Sequence, residues 1–302
     1  MGAVEPITLR RGTLEDGFAT YQVLREAVND LAARIGADPI PGDAESNYER
    51  IEPLFRHLAE TAAEFWVAED GADGLVAYAR SIEHGPFFEL TEFFVLPQYQ
   101  SAGLGRQLLD RAFPPDRGEL RVIVATTDVR ALSRYLKAGM TASTPILSLI
   151  GPAMAPLGSD TRWGEPVAAD GPALAEIAEL DRRIAGFDRE SVLPWLAESR
   201  EPILFRRDGR PVGYAFVGAR GVGPIGAADP ADLPAILDEV LQRAPAAGLE
   251  SVSFEVPMTN GVALRHLLER GLTIDPFLTL LLSNREFGQM DRYIAYSPPI
   301  FL

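Results

Sequence analysis

The sequence contains no cysteine, which excludes disulfide bonds, catalytic thiols and thiolate metal ligands. Histidine is scarce as well. The chain has three, and none stands at a spacing typical of metal ligands. No run of about 18 apolar residues is present, and such a run is what a membrane-spanning helix requires. We therefore expect neither a metal site nor a membrane partner.

Clusters of basic residues are also missing. The formal net charge is −15, from 28 Lys and Arg against 43 Asp and Glu. Because nucleic-acid-binding proteins present a basic patch to the phosphates, this balance argues against a DNA or RNA partner. The first residues, MGAVEPITLRRG, lack the pattern of a signal peptide, and Pro6 stands where a myristoylation motif has Ser or Thr. We therefore expect a cytoplasmic protein.

What is present is the pattern of a mixed α/β protein that is long enough for two domains. Of the 302 residues, 47% are hydrophobic and 24% are charged, which is typical of globular domains. Strand patterns and amphipathic helix patterns alternate along the chain, and the segment 151–164 is rich in Gly, Pro and Ser, as linkers are. We expect an α/β (α+β) protein with domains at residues 1–152 and 160–302.

The second half of the chain repeats part of the first. Two helical segments carry matching residues at spacings of three, four and four, and each follows an apolar strand pattern. The matched positions are Asp128, Ala131, Tyr135 and Gly139 in the first segment and Asn260, Ala263, Leu267 and Gly271 in the second. Two hairpin patterns, at residues 76–79 and 212–215, also match. Duplication of one domain explains these matches better than chance does.

The stretch VLPQYQSAGLGRQLL, residues 95–109, combines a strand end, a turn with two glycines and a helix start. Glycine permits positive φ and a close approach of a ligand to the backbone. A helix start offers unpaired N–H groups that bind anions. The stretch therefore indicates a phosphate site, with a ligand-free turn as the alternative. It is neither a P-loop nor a dinucleotide-binding turn, because it lacks the lysine of the first and the third glycine of the second.

This turn resembles the acetyl-CoA pyrophosphate loop of the GNAT superfamily of N-acetyltransferases. That loop reads Arg/Gln-x-x-Gly-x-Gly/Ala after a Val-x-Pro strand end, and this chain has QSAGLG at residues 100–105 after VLP at 95–97. A second family element, Asn-x-x-Ala-x-x-x-Tyr-x-x-x-Gly-Phe, matches residues 128–140 with Asp for Asn and Met for Phe. The resemblance covers roughly residues 6–150, and the second half resembles the same fold without the glycine turn.

The resemblance implies two tandem GNAT-like domains, each with a mixed, mostly antiparallel sheet flanked by helices. The first would be catalytic and the second degenerate. The implied reaction is transfer of the acetyl group of acetyl-CoA to a primary amine by direct attack. Acetyl-CoA is then the co-substrate, and no metal takes part.

The resemblance also implies roles for particular side chains. Tyr135 would act as the general acid that protonates the leaving thiolate. The base would be Glu92 or Glu89, on the apolar strand pattern FFELTEFFV. Three residues apart in a strand, these two are expected to point to opposite faces. We favour Glu92 because it is nearer the glycine turn, and His84 is a third candidate.

The implied acetyl-CoA contacts lie in the turn, in the strand before it and at the start of a later helix. They are Phe94, Val95, Gln100, Ser101, Ala102, Gly103, Leu104, Gly105, Arg106 and Asp128. We expect a small-molecule amine as acceptor, since nothing in the sequence indicates binding to a macromolecule, and a monomer or homodimer. The alternative function is a non-catalytic sensor or scaffold that binds acetyl-CoA or another acyl-CoA and dispenses with Tyr135 and Glu92.

Overall fold

The structure, a computed structural model, describes residues 7–100, 103–153, 163–296 and 300–301. The chain divides into two compact units. Unit 1 contains residues 1–123 and 128–140, and unit 2 contains residues 124–127 and 141–302.

Unit 1 is built on a mixed sheet with helices. Its strands are β1 (Thr8–Arg11), β2 (Glu64–Asp70), β3 (Gly74–His84), β4 (Phe87–Val95) and β5 (Leu120–Thr126), the last of which extends into unit 2. Its helices are α1 (Gly17–Ile35), α2 (Ala44–Glu60), α3 (Leu104–Ala112) and α4 (Val129–Lys137). The strands lie in chain order, and their neighbours are antiparallel except for β4 and β5, which are parallel.

Helix α1 shows how the local sequence sets an element of unit 1. Its apolar positions recur with helical spacing and bury Tyr21, Val23 and Leu31. The helix ends at Gly36, which has a φ of 75°. Glycine takes this left-handed conformation without steric cost and so terminates the helix.

Unit 2 contains two groups of paired strands and further helices. Its strands are β6 (Thr141–Pro152), β7 (Gly164–Pro166), β8 (Glu201–Arg207), β9 (Arg210–Gly218), β10 (Gly221–Ala227), β11 (Ser251–Pro257), β12 (Thr273–Ile274), β13 (Thr279–Ser283) and β14 (Tyr293–Ile294). Its helices are α5 (Pro172–Ala185), α6 (Leu193–Ala197), α7 (Leu233–Arg243) and α8 (Gly261–Glu269). One group has the order β14, β10, β9, β8, β7, and the other places β6 between β11 and β13. The mixed, mostly antiparallel architecture flanked by helices that the sequence predicts is confirmed.

Strand β6 belongs to unit 2, whereas the sequence analysis placed residues 141–152 in the first domain. The reason is its pairing: β6 is antiparallel to β11 along one edge and to β12 and β13 along the other. Sequence patterns identify a strand but not its partners, because pairing joins residues far apart in the chain. The expected linker falls largely outside the described residues.

The repeated helices have the same geometry in the two units. Helices α4 and α8 have nine residues each, and each follows a strand of seven residues. Asp128 and Asn260 cap them, each accepting a hydrogen bond from a backbone N–H at the helix start. Gly139 and Gly271 follow them with φ of 85° and 86°. The repeat therefore extends from the sequence to the capping and termination of the helices.

The described residues were searched for membrane-spanning helices and for metal-binding groups of side chains. None of the helices described has both the length and the apolar character needed to cross a bilayer. Within the same residues, no group of three or more His, Asp or Glu side chains has an arrangement that could hold a metal ion.

Candidate active site

Strand β4 leaves β5 halfway along its length. The two strands pair over four residues only, Phe87–Leu90 with residues 120–123. At the same place the register of β4 against β3 shifts, because Ser81 pairs with Leu90 and Arg80 with Glu92, which leaves Thr91 without a partner position on β3. An extra residue of this kind is a β-bulge, which bends its strand. The second half of β4 thus has an edge that β5 does not cover, here called the open edge.

The pairing with β3 decides which backbone groups face the open edge. The N–H of Leu96 donates to the C=O of Val76 at 2.9 Å, and Val95 pairs with Ala77. In an antiparallel ladder this makes 95 and 77 a non-hydrogen-bonded pair. The N–H and C=O of Val95 therefore point away from β3 to the open edge. Alternation along the strand turns those of Phe93 the same way.

The turn after β4 is tied to the open edge by Gln100, whose side-chain amide donates to the C=O of Val95 at 2.9 Å. Gly103 is the N-cap residue of α3. The N–H groups of Leu104 and Gly105 are among the first four of the helix, which have no partner inside it. A helix start that presents such groups attracts anions. The turn therefore aims an anion-binding helix start at the region beside β4.

The two glycines of the turn are required for different reasons. Gly103 has a φ of 86°, and a Cβ added there would meet no atom of a described residue within 4 Å, so its constraint is conformational. A Cβ on Gly105 would lie 3.2 Å from Cζ of Phe93, 3.7 Å from Cγ2 of Val95 and 3.8 Å from Cζ of Arg134. Gly105 therefore lets the start of α3 pack directly against β4.

Tyr135, the predicted general acid, lies on α4 and is 5% exposed. Its ring meets Phe93 edge-on, with the centroids 6.1 Å apart. Burial raises the pKa of Tyr135 above its usual value, and the negative charge of Asp128 adds to the effect. The hydroxyl therefore carries its proton at neutral pH, as a proton donor must.

Asp128, a predicted acetyl-CoA contact, has a structural role in unit 1. Its carboxylate accepts a hydrogen bond from the backbone N–H of Arg130 at 2.9 Å, and the side chains of Arg130 and Arg34 also donate to it. Although burial raises the pKa of Asp128, these hydrogen bonds outweigh it and hold the pKa well below the usual value. Asp128 thus caps α4 and joins it to α1, and a contact with acetyl-CoA stays a prediction.

The expectation that Glu89 and Glu92 point to opposite faces is wrong. Glu92 pairs with Arg80, and Glu89 pairs with Ile82. Directly paired residues face the same side of a sheet, and residues two apart on β3 share a face. Both carboxylates therefore lie on one face. The bulge at Thr91 is the cause, since it adds one residue between them and reverses the alternation.

Glu92 belongs to a buried polar cluster that the sequence analysis did not identify. Its carboxylate accepts a hydrogen bond from the hydroxyl of Tyr78 at 2.8 Å and forms an ion pair with Arg80 at 3.2 Å. Arg80 is fully buried, donates to the C=O of Phe55 and stacks on the ring of Phe65. Burial raises the pKa of Tyr78 well above its usual value, and the Glu92 charge adds to this. The sequence feature that could have indicated this cluster is Arg80, an arginine within the apolar stretch LVAYARSI.

Other predicted residues take varied positions. Phe94 is half-buried and lies against Tyr78, so it shares the face of Glu92. The side chain of Arg106 is 80% exposed, with Asp110 at 3.7 Å. His84 pairs with Phe87 at the start of β4, at the opposite end of the strand from the glycine turn. Two further predicted contacts, Ser101 and Ala102, lie outside the described residues.

A groove of about 550 Å³ lies between α3 and α4. This α3/α4 groove is lined by the charged residues Arg106, Asp110, Arg130, Arg134 and Lys137 and by Leu109, Ser133 and Ala138. The groove is not apparent from the sequence, because its cations are not consecutive. Arg130, Arg134 and Lys137 lie four and three residues apart on α4, which places them on one face of the helix.

Comparison with known proteins agrees with this geometry. Residues 61–139 match the sequence model of the acetyltransferase (GNAT) domain. Over these residues the chain is similar to GNAT domains. The matched range contains the open edge, the glycine turn, Glu92 and Tyr135, so the resemblance seen in the sequence is confirmed there. A search among curated proteins gave no significant match.

Several solved structures share the fold over nearly the whole chain. A protein assigned as an acetyltransferase from Pyrococcus horikoshii superposes with a TM-score of 0.72 at 16% identity, covering 95% of this chain and 92% of its own. A GCN5-related N-acetyltransferase from Sphaerobacter thermophilus has a TM-score of 0.60 at 16% identity and covers 92% and 96%. A glucosamine N-acetyltransferase region of a fungal β-N-acetylglucosaminidase has a TM-score of 0.63 at 14% identity and covers 93% and 38%.

At these identities the likeness concerns the fold. Together with the family match, it supports an acyltransferase that takes its acyl group from an acyl-CoA.

Proposed function

We propose that unit 1 transfers the acetyl group of acetyl-CoA to the primary amine of a small molecule. The observation that carries this proposal is the arrangement around β4. An open strand edge, an anion-binding helix start and a buried, protonated tyrosine converge there, and a thioester of a phosphorylated carrier needs these three features.

The residues present fit acetyl-CoA as donor substrate. Its pyrophosphate would bind to the N–H groups of Leu104 and Gly105 at the start of α3. Its pantetheine arm contains amides, and the backbone groups of Phe93 and Val95 at the open edge offer donors and acceptors for them. Acetyl-CoA supplies the activated acyl group. The chain supplies a rigid edge that orients it.

Tyr135 is the proposed general acid. Loss of the CoA thiolate requires a proton, and burial keeps the Tyr135 hydroxyl protonated at neutral pH, so it has a proton to donate. The contact with Phe93 places the ring next to the residue whose backbone faces the open edge. Acid and donor site are thus held by the same stretch of β4.

Glu92 is the proposed base, with Glu89 as second candidate on the same face. Tyr78 and Arg80 hold the carboxylate of Glu92 through a hydrogen bond and an ion pair. They act as positioning residues. The attacking amine must lose a proton, and a carboxylate with a fixed orientation accepts it directly or through one water molecule.

The acceptor is proposed to be a small amine. Arg80 contacts the backbone of α2, so the face that carries Glu92 is the face covered by this helix, and an amine would approach from there. The net charge of −15 favours cationic partners over anionic ones. Amino sugars are included among the candidate acceptors because one structural neighbour is a glucosamine N-acetyltransferase region.

Unit 2 is proposed not to bind acetyl-CoA. The counterpart of the glycine turn precedes α7, where Asp229 accepts a hydrogen bond from the N–H of Ala231. Asp232 is buried and pairs with Arg207. The Asp229 carboxylate occupies a backbone N–H that a pyrophosphate would use, and both carboxylates repel the negative charge of a pyrophosphate. Calorimetry should therefore give one acetyl-CoA per chain, and two would refute this assignment.

The enzyme proposal is tested by release of the CoA thiol from acetyl-CoA in the presence of a panel of polyamines, amino acids and amino sugars. Tyr135→Phe should lower kcat at least about tenfold and leave the affinity for acetyl-CoA within about twofold. Tyr99→Phe is the matched control, since it removes a tyrosine hydroxyl whose hydrogen-bond partners are the carboxylates of Asp73 and Asp70 rather than the groups around Tyr135. Equal activity of Tyr135→Phe and the wild type would overturn the assignment of the acid.

The non-catalytic alternative has one observation in its favour. Glu89 is fully buried and Glu92 is engaged by Tyr78 and Arg80, so neither base is widely exposed. A sensor or scaffold would bind acetyl-CoA with one site per chain and release no thiol with any amine. Turnover with a single acceptor, abolished by Glu92→Gln while acetyl-CoA binding persists, would exclude it.

A further inference from the structure

The α3/α4 groove concentrates positive charge in a chain whose net charge is −15. Four of its lining side chains are cationic and one, Asp110, is acidic. Arg130 is engaged by Asp128 at 2.9 Å, and Arg106 lies 3.7 Å from Asp110. Arg134 and Lys137 form no ion pair with any residue that the structure describes. Two cations of the groove are therefore left for an external anion.

The groove begins at the glycine turn. Cζ of Arg134 would lie 3.8 Å from a Cβ on Gly105, so its guanidinium is beside the start of α3. Lys137 follows three residues later on α4 and lines the same groove. A ligand that binds to the start of α3 through one phosphate therefore finds cations for a further phosphate in the same groove.

We propose that Arg134 and Lys137 bind the 3′-phosphate of acetyl-CoA and make unit 1 selective for CoA over dephospho-CoA. This inference rests on the proposed function. CoA carries a pyrophosphate and, on the ribose at its far end, a third phosphate. With the pyrophosphate at the glycine turn, the third phosphate needs cations close by. Arg134 offers a planar fork suited to phosphate oxygens, and Lys137 offers a point charge.

Calorimetric titration of the full chain with CoA and with dephospho-CoA tests the proposal. The wild type should bind CoA at least about tenfold more tightly, because hydrogen bonds between charged groups are the strong ones. The variant Arg134→Gln/Lys137→Gln should lose this ratio, because its affinity for CoA should fall at least about tenfold more than its affinity for dephospho-CoA. Arg50→Gln/Arg111→Gln, two exposed cations outside the groove, removes the same charge and should keep the ratio.

A second measurement uses the fact that Lys137 is the only lysine of the chain. An amine-reactive reagent, followed by peptide mapping, reports on this one side chain separately from the N-terminal amine. Saturating CoA should slow modification of Lys137 at least about fivefold more than saturating dephospho-CoA does.

The outcomes separate the two proposals. Equal binding of CoA and dephospho-CoA by the wild type, or equal protection of Lys137, overturns the assignment of the groove and leaves the proposed function standing. Binding of neither ligand overturns both.

Discussion

The glycine turn permits a quantitative test, because replacement of Gly103 by alanine adds a methyl group that contacts no side chain in the described part of the chain. Among the residues that the structure describes, none has an atom within 4 Å of the added Cβ, so the effect is expected to come from the φ of 86°. For a residue with a Cβ this left-handed conformation costs about 1–2 kcal/mol. This energy appears either as a lower free energy of unfolding or as weaker binding of acetyl-CoA. What is missing from one quantity should appear in the other.

If the turn keeps its conformation in Gly103→Ala, the free energy of unfolding falls by the full amount and acetyl-CoA binds as before. If the turn relaxes, stability is partly restored, and acetyl-CoA must then force it back, which weakens binding. The two losses should therefore sum to about 1–2 kcal/mol, equivalent to a factor of about 5–30 in affinity if binding carries all of it. Urea unfolding and calorimetric titration of the same preparation give both.

Two further variants provide the control. Gly103→Asn should lose less than Gly103→Ala in the summed measurement, since asparagine tolerates the left-handed region. Gly105→Ala should gain up to about 1 kcal/mol in helix propensity but must push the ring of Phe93, 3.2 Å away, out of its position. Equal losses for the alanine and asparagine variants at 103, or no loss in either assay, would refute the conformational explanation.

Other predictions follow from the charged and buried groups. Asp128→Ala should lower the free energy of unfolding by about 1–3 kcal/mol at neutral pH through loss of the cap and the ion pairs; because the folded pKa of Asp128 is lowered, this difference should persist above about pH 4 and shrink as the pH falls further through the folded pKa. The raised pKa of Tyr135 predicts that kcat stays level up to about pH 10, and a fall at pH 8–9 that Tyr135→Phe abolishes would contradict it. In unit 2, Arg189 and Asp181 form a buried ion pair at 2.7 Å. Arg189→Met should cost about 3–5 kcal/mol in urea unfolding, and Arg189→Met/Asp181→Leu should cost less because no buried charge is left unpaired.

Features that depend on residues close together in the chain were predictable from the sequence. The glycine turn, the capped helix with Tyr135 and the termination of helices at Gly36, Gly139 and Gly271 follow from conformational preferences and hydrogen bonds within a few residues. The match between the two halves is visible for the same reason, since each repeated helix carries its own cap and its own terminating glycine.

Features that depend on which strand pairs with which became visible in the folded chain alone. The bulge at Thr91 exists relative to β3, and it brings Glu89 and Glu92 to one face, against the alternation expected of an isolated strand. The ion pair of Glu92 with Arg80 and the assignment of β6 to unit 2 likewise join distant segments. Local preferences act over a few residues, whereas pairing register and the burial of charge are set by contacts that form only when the chain has folded.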